Sequence, residues 1–207
     1  DEFIAEAEKA GVIASITRYV MDMVLADLPE LLKASPGFHV SLNLSPQDLV
    51  ADGPVQYLQR RFSAMEFPAG ALMLEVTERG LVDIEAARPA LQAARQIGAS
   101  IALDDFGTGY SSLSMLESID IDTLKIDRIF IASIGAQAAI SPVTTHIIEM
   151  AHTLKLALIA EGVETQDQVD FLIARGVRQA QGWKFARAMP LVELLAGLRA
   201  APPSHPQ

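Results

Sequence analysis

Two adjacent aspartates mark the first candidate site. In the stretch IALDDFGTGY, residues 101–110, Asp104 and Asp105 stand where a run of apolar residues ends. Two ionised carboxylates that lie close together repel each other and lose hydration when they are buried. A bound divalent cation removes this conflict, because one carboxylate can bridge two metal ions while the other binds one of them. The pair therefore predicts a metal site at the end of this strand.

Further polar residues occur at the ends of the other predicted strands. Alternation with a period of two places polar and apolar side chains on opposite faces of each strand. In parallel α/β folds, sites form where the strands end at their carboxyl side. The candidates from six strands are Asn43, Glu75, Asp104, Asp105, Lys125, Glu161 and Gln181. Oxygen donors of this kind favour the hard cations Mg²⁺, Mn²⁺ and Ca²⁺.

Each of these residues also has a simpler interpretation. An aspartate at a strand end commonly caps a turn or a helix, and a lysine between apolar neighbours commonly reaches solvent. The sequence contains no HExxH motif, no Walker A loop and no G-x-S-x-G elbow, so those sites are not indicated. Capping alone does not explain polar residues at six successive strand ends, and the pattern favours the metal site.

Strand-like and helical stretches alternate along the chain. The predicted strands cover residues 39–45, 71–78, 100–105, 123–127, 157–164 and 177–182. Six β-α units predict an α/β fold with a parallel sheet that is covered on both faces. They fit either an open doubly wound sheet or a barrel that lacks two strands. Because no linker-like stretch divides the chain, residues 1–200 are predicted to form a single domain, followed by a flexible Pro-rich tail at 201–207.

Composition narrows the possible partners. Half of the 207 residues are apolar, which is enough for a sizeable core, and the formal net charge of −10 argues against binding to a polymeric nucleic acid. The absence of cysteine excludes disulfides and cysteine-ligated zinc. No apolar run reaches the roughly 20 residues that a membrane helix needs. We expect a cytoplasmic domain, which leaves open a membrane anchor elsewhere in a longer protein.

Seven motifs together resemble one family. They are, in order along the chain, FIAEAEKAGVI, NLSPQDL, LEVTE, IALDDFGTGYSSLSML, LKIDRIFI, LIAEGVETQDQ and QGWKFARAMP. With these motifs the chain resembles the EAL-domain cyclic di-GMP phosphodiesterases of bacteria over nearly its whole length. The resemblance implies a modified (β/α)₈ TIM-type barrel, with six of the eight β-α units present. It also implies metal-dependent hydrolysis of 3′,5′-cyclic di-GMP to linear pGpG, which controls the level of this second messenger.

The resemblance also implies a role for each matching residue. The implied metal ligands, with Asp104 as the bridging candidate, are Asn43, Glu75, Asp104, Asp105 and Glu161. The implied catalytic residues are Lys125, Glu161 and Gln181, where Lys125 contacts the attacking water and Glu161 is a candidate general base. Asp127 and Gln181 are the expected substrate-binding residues. Glu78 and Glu164 are expected to anchor the loop DDFGTGYSS. The implied cofactors are two ions of Mg²⁺ or Mn²⁺, with Ca²⁺ as a candidate inhibitor.

Some features of the family are expected outside this chain. The Glu-Ala-Leu motif, whose Glu is a metal ligand and which is followed by a substrate-binding Arg, is expected on a strand upstream of residue 1. We also expect a sensory or GGDEF-type domain upstream in the same protein. A second copy of the protein is the expected partner in a homodimer. Two alternatives to the enzyme remain open, namely a noncatalytic cyclic di-GMP receptor and a module that only binds other proteins.

Overall fold

Strands and helices alternate along the chain, as predicted. The computed structural model describes residues 2–49, 53–62, 65, 67–107, 116, 119–135 and 142–200. The strands are β1 (Val40–Leu44), β2 (Leu72–Thr77), β3 (Ser100–Phe106), β4 (Thr123–Ile126), β5 (Ala157–Ala160) and β6 (Gln179–Ala180). The helices are α1 (Glu2–Lys9), α2 (Ile13–Ala34), α3 (Pro54–Phe62), α4 (Ile84–Gln96), α5 (Arg128–Ala132), α6 (Pro142–Thr153), α7 (Gln166–Ala174) and α8 (Leu191–Ala200). Short 3₁₀ turns cover Pro46–Leu49 and Glu78–Leu81.

The six strands are hydrogen-bonded in the order β1-β2-β3-β4-β5-β6. The pairs β3-β4, β4-β5 and β5-β6 are parallel. Sequential parallel neighbours joined by helices are the pattern that the alternating sequence predicts. The α/β class with six β-α units is therefore confirmed.

Several predicted boundaries are wrong, and glycines explain the largest errors. Strand β5 ends at Ala160 rather than at 164, and β6 covers two residues rather than six. Gly162 and Gly182 follow these strands with φ values of +67° and +152°, where extended pairing stops. The helical stretch at the start of the chain, which the sequence predicts as one or two helices, is two helices separated at Gly11, whose φ is +69°. The sequence SSLSMLESI, residues 111–119, also predicts a short helix, and this stretch falls mostly outside the described residues.

The chain divides into two compact units, and both are discontinuous in sequence. The first contains Asp1–Leu74, Asp83–Ser100 and Ala188–Gln207, and the second contains Glu75–Val82 and Ile101–Arg187. In the first unit α2 packs against α3 and α8, and α3 packs against α4. In the second unit β4 and β5 pack against α6. A single domain over residues 1–200 stays a prediction.

The longest described helix is α2, whose buried face carries residues at helical spacing: Ile13, Thr17, Met21, Leu25, Leu28 and Leu31. Its opposite face is exposed at Tyr19 and Met23. Among the described helices, none combines the length and the apolar character required to cross a membrane.

A buried carboxylate fixes the turn after β1 in the first unit. Asp48 is fully buried, and its Oδ2 accepts hydrogen bonds from Ser45 N and Ser45 Oγ at 2.8 Å and from Thr17 Oγ1 at 3.0 Å. Three donors on Oδ2 offset part of the cost of burying this carboxylate, whose Oδ1 is buried without a hydrogen-bond partner. Asp48 therefore holds α2 to the turn that follows β1.

Replacing Asp48 by alanine should destabilise the protein, because buried donors lose a charged acceptor. We expect the free energy of unfolding of Asp48→Ala to fall by about 3 kcal/mol in denaturant titration. The neighbouring Gln47 is exposed and bonds only weakly to Glu8 O at 3.3 Å, so Gln47→Ala serves as control with a change within about 0.5 kcal/mol. Equal stability of the two variants would contradict the assignment.

Candidate metal centre

A buried ammonium group lies at the centre of the site. Lys125 on β4 is 2% exposed, and its Nζ contacts three carboxylates from other elements. It lies 2.5 Å from Glu75 Oε2 on β2 and 3.1 Å from Asp104 Oδ1 on β3, and it also contacts Glu161 Oε1 after β5. The interpretation of this lysine as a residue that reaches solvent is therefore wrong.

The position of Lys125 follows from the strand on which it lies. All four residues of β4 are buried, and β4 has parallel neighbours on both sides. Leu124 and Ile126 have the opposite parity to Lys125, so they point to the other face of the sheet and are completely buried there. Lys125 thus extends on the face where the polar residues of the neighbouring strands gather.

The pKa values of Lys125 and Glu161 are both shifted by burial and by their charged neighbours. Burial alone would lower the pKa of Lys125, but its hydrogen bonds to Glu161 and Glu75 and the charge of Asp104 raise the pKa above its ordinary value. Burial raises the pKa of Glu161, against the opposing effect of Lys125, and the charges of Asp104 and Glu75 add to the rise. One ammonium cannot neutralise three carboxylates, so negative charge remains in the cluster.

A bulge in β3 separates the two adjacent aspartates. Leu103 pairs with Leu124 and Phe106 pairs with Ile126, so β3 advances three residues while β4 advances two. Asp105 lies at this irregularity with φ of +55°, a conformation that Asp tolerates better than most residues. Its N–H donates to Asp104 Oδ1 at 2.9 Å. Asp105 therefore lies within the bulged strand rather than at a turn.

Asp105 also contacts the carboxyl group of Asp127, which directly follows the neighbouring strand β4. Burial, the charge of Asp104 and a hydrogen bond with Asp127 all raise the pKa of Asp105. Asp127 also caps α5, since its Oδ1 accepts the Ile129 N–H at 2.7 Å. The capping interpretation thus applies to Asp127, while the substrate-binding role stays a prediction.

The loop that follows β3 begins with a hydrogen bond to Glu78. Glu78 lies buried in the 3₁₀ turn after β2, and its Oε1 accepts the Gly107 N–H at 2.9 Å. This contact is consistent with the predicted loop-anchoring role. Most of the loop, residues 108–115, lies outside the described residues. Glu164 is exposed and donates its backbone N–H to Gln168 Oε1, and its predicted anchoring role stays a prediction.

Gln181 orients one carboxylate of the cluster. Its Nε2 donates to Glu161 Oε1 at 2.6 Å, and its backbone N–H donates to Ala160 O at 2.8 Å. Gln181 and Glu161 are the first residues after β6 and β5, so the early strand ends bring them side by side. Asn43, by contrast, lies exposed on β1 in the first unit, and its role as a metal ligand stays a prediction.

The donor atoms fit a hard divalent cation. Glu75, Asp104 and Glu161 each offer one carboxylate oxygen, and these oxygens all lie within 4.8 Å of one another. An oxygen-only donor set with surplus negative charge suits Mg²⁺ or Mn²⁺. The predicted convergence of Glu75, Asp104, Lys125, Glu161 and Gln181 is thus confirmed as geometry, while their individual roles stay predictions.

Two residues that shape the site were not recognised from the sequence. Gly182 adopts a φ of +152°, and a Cβ at this position would collide with the backbone of Val163. Gln168 accepts two backbone N–H groups from the segment after β5. The spacing of Thr165 and Gln168 matches a capping box, which is a recognisable signal for a helix start at this position.

Comparisons with known proteins agree with this geometry. The EAL domain family model matches residues 1–188. The probable cyclic di-GMP phosphodiesterases PdeB and PdeD of Escherichia coli K12 are 38% and 40% identical over 94% and 99% of the chain. The chain spans only 37% and 38% of those two proteins.

A solved structure also has this fold. The PaMucR phosphodiesterase in complex with c-di-GMP superposes with a TM-score of 0.84 at 33% identity, covering 93% of this chain and 79% of that chain. The family model, the curated relatives and the fold agree over most of the sequence. The chain belongs to the EAL domain family.

Proposed function

We propose that the protein hydrolyses one phosphodiester bond of cyclic di-GMP and releases linear pGpG. The observation that carries this proposal is the contact of one buried ammonium, Lys125 on β4, with carboxylates from β2, β3 and the segment after β5. The names of PdeB and PdeD and the bound ligand of PaMucR support cyclic di-GMP as the substrate.

The acidic residues of the cluster would hold the metal ions. Glu75, Asp104 and Glu161 supply the oxygens that lie together, and Asp105 is adjacent on the β3 bulge. Asn43 enters the proposal from its sequence motif alone. Bound Mg²⁺ or Mn²⁺ supplies positive charge for the phosphate oxygens and lowers the pKa of a bound water.

Lys125 supplies a fixed positive charge for the reaction. Its carboxylate partners hold the ammonium in one place, so little reorganisation is needed when charge develops on the phosphate. Lys125 and Gln181 both contact Glu161 Oε1, which fixes the orientation of this carboxylate. Glu161 is then positioned to accept a proton from the attacking water.

The direct test is incubation of the full-length protein with cyclic di-GMP and either Mg²⁺ or Mn²⁺. We expect pGpG to accumulate, and mass spectrometry of the chromatographed products identifies it. Tight binding of cyclic di-GMP without any product would contradict the enzyme and indicate a receptor.

Removing the ammonium should abolish most of the activity. In Lys125→Met we expect kcat to fall by at least about 100-fold, because the developing phosphate charge loses a preorganised partner. Lys155→Met is the matched control, since Lys155 is exposed and precedes β5 at its opposite end from Glu161. Near-UV circular dichroism confirms folding of both variants. Wild-type turnover in Lys125→Met would refute the role of this lysine.

Removing single carboxylate charges should weaken metal binding. We expect Glu75→Gln and Asp104→Asn to weaken the affinity for Mn²⁺ by about tenfold or more in titration calorimetry. Glu149→Gln changes an exposed carboxylate on α6 and should bind Mn²⁺ like the wild type. Unchanged Mn²⁺ affinity in both site variants would show that this cluster is not the metal centre.

A further inference from the structure

One buried amide ties the segment that carries Glu161 to the helix that follows β4. Gln168 on α7 is only 6% exposed, although glutamine is usually found at the surface. Its Oε1 accepts the N–H groups of Glu164 at 2.7 Å and Thr165 at 3.0 Å. Its Nε2 donates to Ile131 O, in α5, at 3.1 Å. The amide thus links the segment that follows β5 to the helix that follows β4.

The choice of glutamine at this position is informative. Gln168 forms a capping box with Thr165, in which a glutamate would serve equally well as acceptor. A glutamate would also interact favourably with the helix dipole at the start of α7. Only the amide, however, can also donate to Ile131 O. The residue therefore has a bridging role in addition to starting its helix.

The bridged segment is irregular backbone that carries a residue of the site. Glu161 N donates to Ile126 O at 3.0 Å and Val163 N donates to Gln181 O at 3.0 Å, so β4 and the residue after β6 hold its beginning. Gly162 bends it with a φ of +67°. Gln168 holds the end of the segment, residues 164 and 165. Gln168 thus fixes the far end of the segment whose first residue, Glu161, belongs to the site.

We propose that Gln168 is a positioning residue, which acts through the 161–165 segment to aim Glu161 at Lys125 and the metal centre. This inference rests on the proposed function. Gln168 contacts backbone groups of Glu164, Thr165 and Ile131, and its effect on the reaction is indirect. Residues that orient a ligand in this way commonly change metal affinity or activity when they are replaced.

The variants Gln168→Glu and Gln168→Met test the proposal in the full-length protein. Gln168→Glu keeps the acceptor for the capping box and loses the donor to Ile131 O, whereas Gln168→Met loses both. We expect each to weaken Mn²⁺ affinity of the nucleotide-free protein by about tenfold and to lower kcat by a similar factor. The KM for cyclic di-GMP should change much less than kcat, because Gln168 is not placed in the substrate site.

Two controls separate positioning from a loss of stability. Leu172→Ala removes a buried side chain from the same helix, so it should lower the melting temperature without changing Mn²⁺ affinity or kcat. Gln166→Met changes an exposed glutamine on α7 that bonds to Asp170 and should alter none of the three quantities. If the Gln168 variants also lower only the melting temperature, the proposal is wrong.

Amide hydrogen exchange in the wild-type protein tests the proposal without requiring that any variant folds. Because Glu161 and the Gln168-held amides belong to one segment, Mn²⁺ should slow amide hydrogen exchange at Glu164 and Thr165 more than at Gly176, beyond the end of α7. Equal effects of Mn²⁺ at these positions would overturn the positioning role.

A wild type that binds Mn²⁺ and releases pGpG, with unaffected Gln168 variants, refutes this inference alone. A wild type that does neither refutes the proposed function and this inference with it.

Discussion

The rest of the site depends on one electrostatic constraint, the gathering of three carboxylates, two of them buried and one half-buried, around a single buried lysine ammonium. Removing each charge from water costs several kcal/mol, and Lys125 compensates only part of the charge of Glu75, Asp104 and Glu161. Apolar side chains would stabilise the same strand ends better, as Leu124 and Ile126 do on the opposite face of β4. Such a cluster is consistent with selection for binding a cation rather than for stability.

Backbone irregularities place these charges. The bulge in β3 sets Asp105 apart from Asp104, and β5 ends early enough for Glu161 to follow the last paired residue. Gly182 allows the segments after β5 and β6 to approach each other closely, because a Cβ there would collide with the backbone of Val163, and Gly162 leaves room for Arg128 at the start of α5. Regular strands would alternate their side chains strictly between the two faces of the sheet, whereas a bulge redirects a side chain and an early strand end releases the backbone that follows it.

The sequence predicted the strands and the convergence of polar side chains because both follow from local rules. Parity along β4 places Lys125 opposite Leu124, and parallel strands bring Glu75, Asp104 and Lys125 to one edge. The bulge at Asp105 depends on pairing with β4, which no local pattern encodes, whereas the early end of β5 coincides with Gly162, a signal that the sequence does contain. Gln168 was missed for the same reason as the bulge, since its bond to Ile131 O joins residues 37 positions apart.

Anomalous diffraction from crystals of the full-length protein grown with Mn²⁺ tests the metal centre most directly. We expect a manganese peak bonded to carboxylate oxygens of Glu75 and Asp104, at metal–oxygen distances of about 2.0–2.3 Å. Crystals that contain Mn²⁺ only at other sites, with Lys125 still the sole cation beside these carboxylates, would contradict the assignment.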